Sequence, residues 1–185
     1  MIRAKPLNKE VYVADEPIVK VGRGDIEFLK GRVNESERKR VRLCAHKDVD
    51  DTLHEMFIVL AKGTYIRPHK HVNKAESLHV IEGSADVVFF DGEGNITDVI
   101  PIGDYSSGSR FYYRVAEPAY HTLLVRSDVL VFHETTQGPF VRSETVFAPW
   151  TAEEGDERAV KEFTEWLART AAQFVAQRGS TVERG

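Results

Sequence analysis

The sequence has a single cysteine, no long apolar run and no excess of basic residues, and each of these absences excludes a class of protein. Cys44 stands alone among 185 residues, so no internal disulfide forms and no oxidising compartment is indicated. No apolar run approaches the roughly 18 residues of a membrane span, and no apolar segment of a signal peptide follows Met1. The net charge of −4 argues against nucleic acid binding, which usually needs a basic surplus. We therefore expect a cytoplasmic protein with neither nucleic acid nor membrane as a partner.

The length of the chain suits one domain with a sizeable core. We predict a single domain over residues 1–185. Within it, residues 1–50 are expected to form N-terminal strands and a short helix, residues 51–150 a β-barrel, and residues 153–178 a C-terminal helix.

Short apolar segments separated by turn residues dominate the middle of the sequence. Residues 53–60, 84–91 and 129–134 are rich in β-branched and aromatic residues, which favour strands. Residues 91–95, with the sequence DGEGN, are typical of a hairpin turn. Many short strands with a turn every eight to twelve residues, roughly, indicate a sandwich or a barrel.

Two segments have the periodicity of helices instead. Asp25 can cap a short helix whose apolar positions are Ile26, Leu29 and Val33. Residues 10–22 before it alternate as two short strands would. In residues 153–178 apolar residues recur every three or four positions, which predicts an amphipathic helix. The sequence leaves open whether that helix packs on the barrel or on a partner subunit.

Candidate metal ligands lie between two predicted strands. His69 and His71 are two residues apart, so on a strand both side chains point to one face, together with Tyr65 and Arg67. The next strand brings Glu76 towards them. Imidazole nitrogens and a carboxylate suit Zn, Fe, Mn or Ni, and the absence of a second thiolate candidate removes any preference for soft metals. The competing interpretation is that the histidines are solvated strand residues without a metal.

The spacing of this stretch resembles a known motif. Its fixed residues, with five, one, four and six residues between them, are Gly63, His69, His71, Glu76 and Gly83. This spacing is similar to the first signature motif of the cupin superfamily at every fixed position. The second cupin motif is matched only by its histidine, His121, and not by the glycines, proline and asparagine around it. The resemblance implies that His121 is the fourth metal ligand.

Residues 35–154 are similar in order and spacing to the WbuC-type cupin-fold metalloproteins found with bacterial surface-polysaccharide genes. This resemblance implies a mainly β fold, a double-stranded β-helix (cupin or jelly-roll barrel) that holds one divalent metal ion. A short N-terminal helix and a C-terminal amphipathic α-helix are expected beside the barrel. Cupin barrels commonly pair, so a homodimer is expected as well.

Two classes of function follow from this resemblance. The first is an enzyme that acts on a small polar or anionic substrate, such as a sugar or sugar nucleotide, by isomerisation, epimerisation or oxygenation. The second is a non-catalytic binding or sensing module with a structural metal. No catalytic residue is assigned. Arg67, Tyr65 and Glu134 are expected to bind the substrate, unless Arg67 and Glu134 pair with each other.

The remaining histidines and a basic run are less informative. His79 and His133 are out of phase with the inward residues of their strands and are expected to point outwards, while His54 is expected at the edge of the core. His46 and the basic run of residues 38–42 either form a solvated edge or lie at the mouth of the barrel.

Overall fold

The computed structural model of the chain describes residues 2–182. Its helices are α1 (Arg23–Val33) and α2 (Glu157–Val182). Its twelve strands are β1 (Ala4–Pro6), β2 (Val11–Ala14), β3 (Arg40–Cys44), β4 (Leu53–Ala61), β5 (His69–His71), β6 (Glu76–Glu82), β7 (Ser84–Phe90), β8 (Ile96–Gly103), β9 (Tyr112–Val115), β10 (Tyr120–Val125), β11 (Val129–Gln137) and β12 (Thr145–Phe147).

The strands form two sheets that face each other. One sheet has the order β1-β2-β3-β4-β11-β6-β9, and the other has the order β12-β5-β10-β7-β8. Every neighbouring pair is antiparallel except β2 and β3. Leu78, Phe132 and Leu130 of the first sheet share one apolar cluster with Val87 and Ile102 of the second. The fold is therefore a jelly-roll barrel with one helix near each end of the chain, as the sequence predicted.

Helix α1 covers the outer face of β3 and β4. Its residues Leu29 and Val33 pack with Val41 and Val59 of these strands. The Asp25 carboxylate accepts hydrogen bonds from the backbone N–H groups of Gly22 (2.9 Å) and Ile2 (2.6 Å). Asp25 is thus the third helical residue and not the cap. Of the two strands predicted in residues 10–22 only β2 forms, because the chain after it leads into the helix.

Helix α2 packs on the outer face of the five-stranded sheet. Leu167 and Ala171 contact Val88, Phe90 and Val99 in a cluster that includes no residue of α1. The helix starts at Glu157, a few residues later than predicted, where the Asp156 carboxylate accepts the Ala159 N–H at 3.0 Å. The apolar stripe of α2 therefore packs against the barrel of the same chain. No helix in residues 2–182 is both long and apolar enough to cross a membrane.

The strand register decides which residues of the seven-stranded sheet face the inside of the barrel. Met56, Glu134, Leu78 and Tyr113 form one row across β4, β11, β6 and β9. Residues that lie opposite each other on paired strands point to the same side. Because Leu78 and Tyr113 belong to the cluster between the sheets, the whole row faces inwards. Glu76 lies on the same face, two residues before Leu78.

The basic run of residues 38–42 forms an ion-paired edge. Arg38 and Arg40 both contact Glu10 and Glu154, with an Arg40–Glu154 distance of 3.3 Å. Their charges are thus balanced by carboxylates from the N-terminal segment and from the segment before α2. This favours the ion-paired edge over a cationic barrel mouth.

Candidate metal centre

Four side chains with metal-ligating atoms meet inside one end of the barrel: His69, His71, Glu76 and His121. One ligand atom from each lies within 4.8 Å of all the others. His69 and His121 face each other in register on β5 and β10 of one sheet, while Glu76 begins β6 of the other. The four predicted ligands therefore come together from strands of both sheets.

In each of the three histidines, the ring nitrogen Nδ1 lies within hydrogen-bond distance of another group of the protein. The Nδ1 atoms of His69 and His121 lie 2.9 Å from the carbonyl oxygens of Arg67 and Ala119, two residues earlier in each case. A carbonyl only accepts, so both Nδ1 atoms carry the proton and donate it. Nδ1 of His71 lies 3.3 Å from the Thr145 hydroxyl. These contacts orient the rings so that Nε2 is the nitrogen available to a metal, as in known metal sites.

Glu76 is the electrostatic centre of the group. Its side chain is 8% exposed, and its oxygens lie 3.0 Å from Nε2 of His71 and 3.4 Å from Nε2 of His121. Burial alone would raise the pKa of Glu76, but the hydrogen bonds from His121 and His71 hold it below its usual range. Burial would likewise lower the pKa of His121, but its bond to Glu76 raises it. Glu76 is therefore an anion at neutral pH.

His69 lacks the hydrogen bond to Glu76 that raises the pKa of His121. Burial, with the neighbouring His121 as a second cause, lowers the pKa of His69 to about 4. Its ring centroid is 6.2 Å from the ring of Phe147, and Phe89 is at 5.9 Å from His121. His69 is thus neutral at physiological pH, which is the form that binds metals.

The donor set fits a divalent ion. Metal–nitrogen and metal–oxygen bonds of about 2.0–2.2 Å allow ligand atoms up to about 4.4 Å apart, so a small closing of the four side chains brings them into range. Three neutral imidazoles and one carboxylate suit Zn, Fe, Mn or Ni. Four protein atoms would fill a tetrahedral zinc site, whereas an octahedral ion would keep two positions for a further ligand such as a substrate oxygen.

Arg67 and Tyr65 are held by the segment after the barrel. Nε of Arg67 donates to the Thr151 hydroxyl at 3.0 Å, and its Nη1 contacts Glu153 at 2.5 Å. The Tyr65 hydroxyl donates to the Ala152 carbonyl at 2.9 Å. The alternative in which Arg67 pairs with Glu134 is not formed, because Glu153 is the partner of Arg67.

The strand assumed for these two residues is also shorter than predicted. β5 covers only His69–His71, and the preceding Pro68 has no N–H to donate to a ladder. The strict alternation that would place Arg67 and Tyr65 beside the histidines ends there. A substrate contact by Arg67 or Tyr65 stays a prediction, and for Arg67 it would require release from Glu153.

Glu134 lies inside the barrel, as predicted, and shares its row with Tyr113, which the sequence analysis missed. Burial, with the charge of Glu76 as the next cause, raises the pKa of both Glu134 and Tyr113 well above their usual ranges. Tyr113 therefore keeps its proton at neutral pH, and the Glu134 carboxyl holds its proton to a higher pH than usual. The pairing of β9 with β6 that places Tyr113 here leaves no signal in the local sequence.

The other histidines lie outside this cluster. His79 is exposed and lies opposite His133 on the outer face, as the strand phase predicted. His54 is buried, and its ring stacks on that of His46 with centroids 4.0 Å apart. Burial lowers the pKa of His46, so its ring is neutral at physiological pH.

Comparison with known families adds one match. A family described as a domain of unknown function, DUF6016, matches residues 23–102, which is less than half of the chain. The match includes α1, the strands β3 to β7, most of β8 and three of the four clustered residues, but not His121. No curated protein matches the chain.

Solved structures with distant likeness come from several organisms. Protein SO0799 of Shewanella oneidensis is 14% identical over 56% of this chain and 66% of that one, with a TM-score of 0.45. Oxalate decarboxylase of Bacillus subtilis is 21% identical over 54% and 24%, with a TM-score of 0.43. The Cnp3 cupin domain of Schizosaccharomyces pombe is 10% identical over 54% and 64%, with a TM-score of 0.42. The chain spans less than two thirds of each structure.

The order of the strands defines the fold, and the four converging side chains define the candidate metal site inside it. By its fold the chain is a jelly-roll β-barrel protein, and its residues 23–102 match a domain family to which no function is assigned.

Proposed function

We propose that His69, His71, Glu76 and His121 bind one divalent metal ion, and that the chain is a metal-dependent enzyme. Its substrate is a small polar or anionic molecule such as a sugar or sugar nucleotide, and its reaction is an isomerisation, epimerisation or oxygenation. The observation that supports this proposal is the convergence of four ligand atoms within 4.8 Å, with the outer ring nitrogens of the histidines already held. Side chains that merely solvate a strand need no such positioning.

A divalent ion at this position would act as a Lewis acid on a carbonyl or hydroxyl oxygen of the substrate. The chain's own residues supply the setting. Glu76 would offset part of the ion's charge, the carbonyls of Arg67 and Ala119 fix two imidazoles, and Phe147 and Phe89 lie beside these rings.

We also propose that the chain belongs with the WbuC-type proteins that it resembles over residues 35–154, and that it works in the cytoplasm. The resemblance supports a role near carbohydrate metabolism. It does so through the order of motifs along the chain.

The proposed metal site is tested by measuring the metal content of the purified protein. Protein purified without chelator is expected to hold about one equivalent of metal by elemental analysis, and His71→Ala is expected to lose most of it, because one of three imidazoles is removed. His79→Ala is the matched control, since His79 is exposed on the outer face of β6 and should keep the metal. A wild-type protein without metal under these conditions would refute the proposed function.

The homodimer is a further part of the proposal. The outer face of the seven-stranded sheet carries an exposed apolar patch of Ile81 (41% exposed), Phe111 (39%) and Tyr112 (50%). A patch of this kind on a sheet face suits contact with a second copy. Light scattering is expected to give about twice the 20.9 kDa of one chain, and the double variant Phe111→Ser, Tyr112→Ser about one chain. Phe140→Ser, at 54% exposed elsewhere on the surface, serves as control. A monomeric wild type at micromolar concentration would contradict the proposal.

A further inference from the structure

Arg42 of β3 lies on the inner face of the seven-stranded sheet. Its neighbours Val41 and Leu43 pack with α1 on the outer face, and successive residues of a strand point to opposite faces. Cys44, the next residue on the face of Arg42, lies opposite Met56 of the inward row. The side chain of Arg42 therefore points to the barrel side of the sheet.

The guanidinium of Arg42 is free to take a ligand. Arg38 and Arg40 of the same basic run pair with Glu10 and Glu154. Within residues 2–182, in contrast, no hydrogen bond or ion pair involves the side chain of Arg42, which is exposed. An exposed arginine needs no partner in the protein, so its position relative to the metal cluster decides what it can bind.

An accessible stripe connects Arg42 with the metal cluster along the inner face. Ile58 of β4 lies opposite Arg42. Glu134 and Thr136 follow on β11, where Thr136 lies opposite Glu76. Ile58, Glu134 and Thr136 are only partly buried, although β4 and β11 each have a neighbouring strand on both sides. Their accessible surface therefore faces the inside of the barrel, which is open to solvent along this stripe.

The charges along the stripe suit an anion at the Arg42 end. Burial and the charge of Glu76 raise the pKa of Glu134, and the positive charge of Arg42 works against that rise. Glu134 thus lies under the influence of both residues. Because its carboxyl holds its proton to a higher pH than usual, it repels an anion less than an ordinary carboxylate would. A ligand along this stripe would meet a guanidinium at one end and the metal at the other.

The separation of Arg42 from Glu76 sets a minimum length for such a ligand. The two residues are three strand spacings apart, about 14 Å, and four residues apart along the strands, about 13 Å. Side chains and the curvature of the barrel close only part of this distance. A ligand that reaches both ends therefore needs its anionic group and its metal-binding oxygen several bonds apart.

We propose that Arg42 binds an oxyanion group, a phosphate or a carboxylate, of the substrate whose other end binds the metal. The sugar-like substrate is then a phosphorylated or acidic one, with the anionic group remote from the metal-binding oxygen. This inference rests on the proposed function, because it assumes that the cluster holds a metal. It adds a specificity-determining residue and excludes neutral sugars and short dicarboxylates.

The test is isothermal titration calorimetry of zinc-loaded wild type and variants with glucose 6-phosphate and glucuronate. Glucose is the neutral comparison compound, and malonate is the short one. We expect one of the two sugar anions to bind more tightly than glucose, and the tighter one identifies the group as phosphate or carboxylate. Arg42→Gln is expected to weaken its binding ten-fold or more, because a hydrogen bond between charged groups is lost. Malonate, which cannot reach both ends, is expected to keep its affinity.

Arg42→Lys keeps the charge but not the two parallel donors, so it is expected to recover part of the affinity. Arg114→Gln is the matched control, since Arg114 is exposed on the outer face of β9 beside the inward Tyr113. Metal content is measured in every sample, and the titrations are repeated after chelator treatment.

Equal affinity of wild type and Arg42→Gln for the sugar anions, or an equal loss in Arg114→Gln, would overturn the assignment of Arg42. A wild type that binds neither anion more tightly than glucose would overturn the substrate class. Equal binding of the anion with and without zinc would overturn the bridging between Arg42 and the metal. A wild type that takes up no zinc would instead refute the proposed function.

Discussion

Glu76→Gln is expected to lose the metal and to destabilise the metal-free protein as well. Glu76 is the only anion of the cluster, and its two oxygens lie near Nε2 of both His71 and His121. Changes in residues behind a ligand typically weaken metal binding about 10–100-fold, so loss of the ligand charge itself should exceed about 100-fold. Loss of a buried charged hydrogen bond costs about 1.5–3 kcal/mol in the free energy of unfolding.

The stability difference is expected to depend on pH. The pKa of Glu76 is lowered in the folded protein from its usual 4.5, so its contribution to stability is present above pH 4.5. It is lost as the pH falls through the lower folded-state pKa. The same bond raises the pKa of His121 from its usual 6.5, and that contribution is fully present only below pH 6.5. Urea unfolding of chelator-treated protein should therefore show the largest gap between wild type and Glu76→Gln between pH 4.5 and 6.5 and a smaller gap below pH 4.5.

Glu134→Gln is the matched control for this variant. It is the same substitution on the same inward face, and it is expected to keep the metal because Glu134 is outside the four-residue cluster. Full metal occupancy in Glu76→Gln, or equal loss in both variants, would contradict the assigned ligand set.

Gly83→Ala is expected to destabilise the barrel by about 3 kcal/mol or more. Gly83 connects β6 to β7 with a backbone φ of +87°, where a side chain is strained. A Cβ there would lie 2.2 Å from the Val129 carbonyl oxygen and 2.5 Å from the Ser127 hydroxyl. The backbone contact cannot move away without opening the start of β11. Thermal or urea unfolding measures the loss.

Gly31→Ala is the same substitution as Gly83→Ala, but it is expected to increase the stability of the protein. Gly31 lies inside α1, and nothing is within 4 Å of the position that its Cβ would take. Alanine is favoured over glycine in a helix by about 0.8–1.0 kcal/mol, so this variant should gain stability. Equal stability of Gly83→Ala and wild type would show that the turn between β6 and β7 can rearrange.

Features that depend on local sequence were predictable. The alternation in β4 and β7, the hairpin at residues 91–95 and the helical periodicity of α2 are all recorded in neighbouring residues. The convergence of His69, His71 and Glu76 also follows from strand phase and from a motif with fixed spacing. His121 needed the resemblance to a family, because its own neighbourhood lacks most of the motif.

Features that depend on tertiary pairing could not be predicted from the sequence. Arg67 is paired by Glu153, which is 86 residues later, and no local pattern connects the two. Tyr113 enters the site only through the pairing of β9 with β6. The short strand β5 shows how one residue, Pro68, cancels an alternation that the rest of the segment supports. Strand phase therefore predicts which candidate ligands of one segment converge, but it does not predict the partners that distant segments supply.

The strand β10 separates the metal cluster from α2 by a single layer of backbone. Tyr120 and Leu124 of this strand pack in the cluster formed with Leu167 of the helix, while His121 between them points into the barrel. A change in side-chain size on the buried stripe of α2 therefore pushes on the back of the strand that carries a ligand. Substitutions on the buried face of α2 are therefore expected to change the affinity of the site for a metal. They would do so without replacing any of the four clustered side chains.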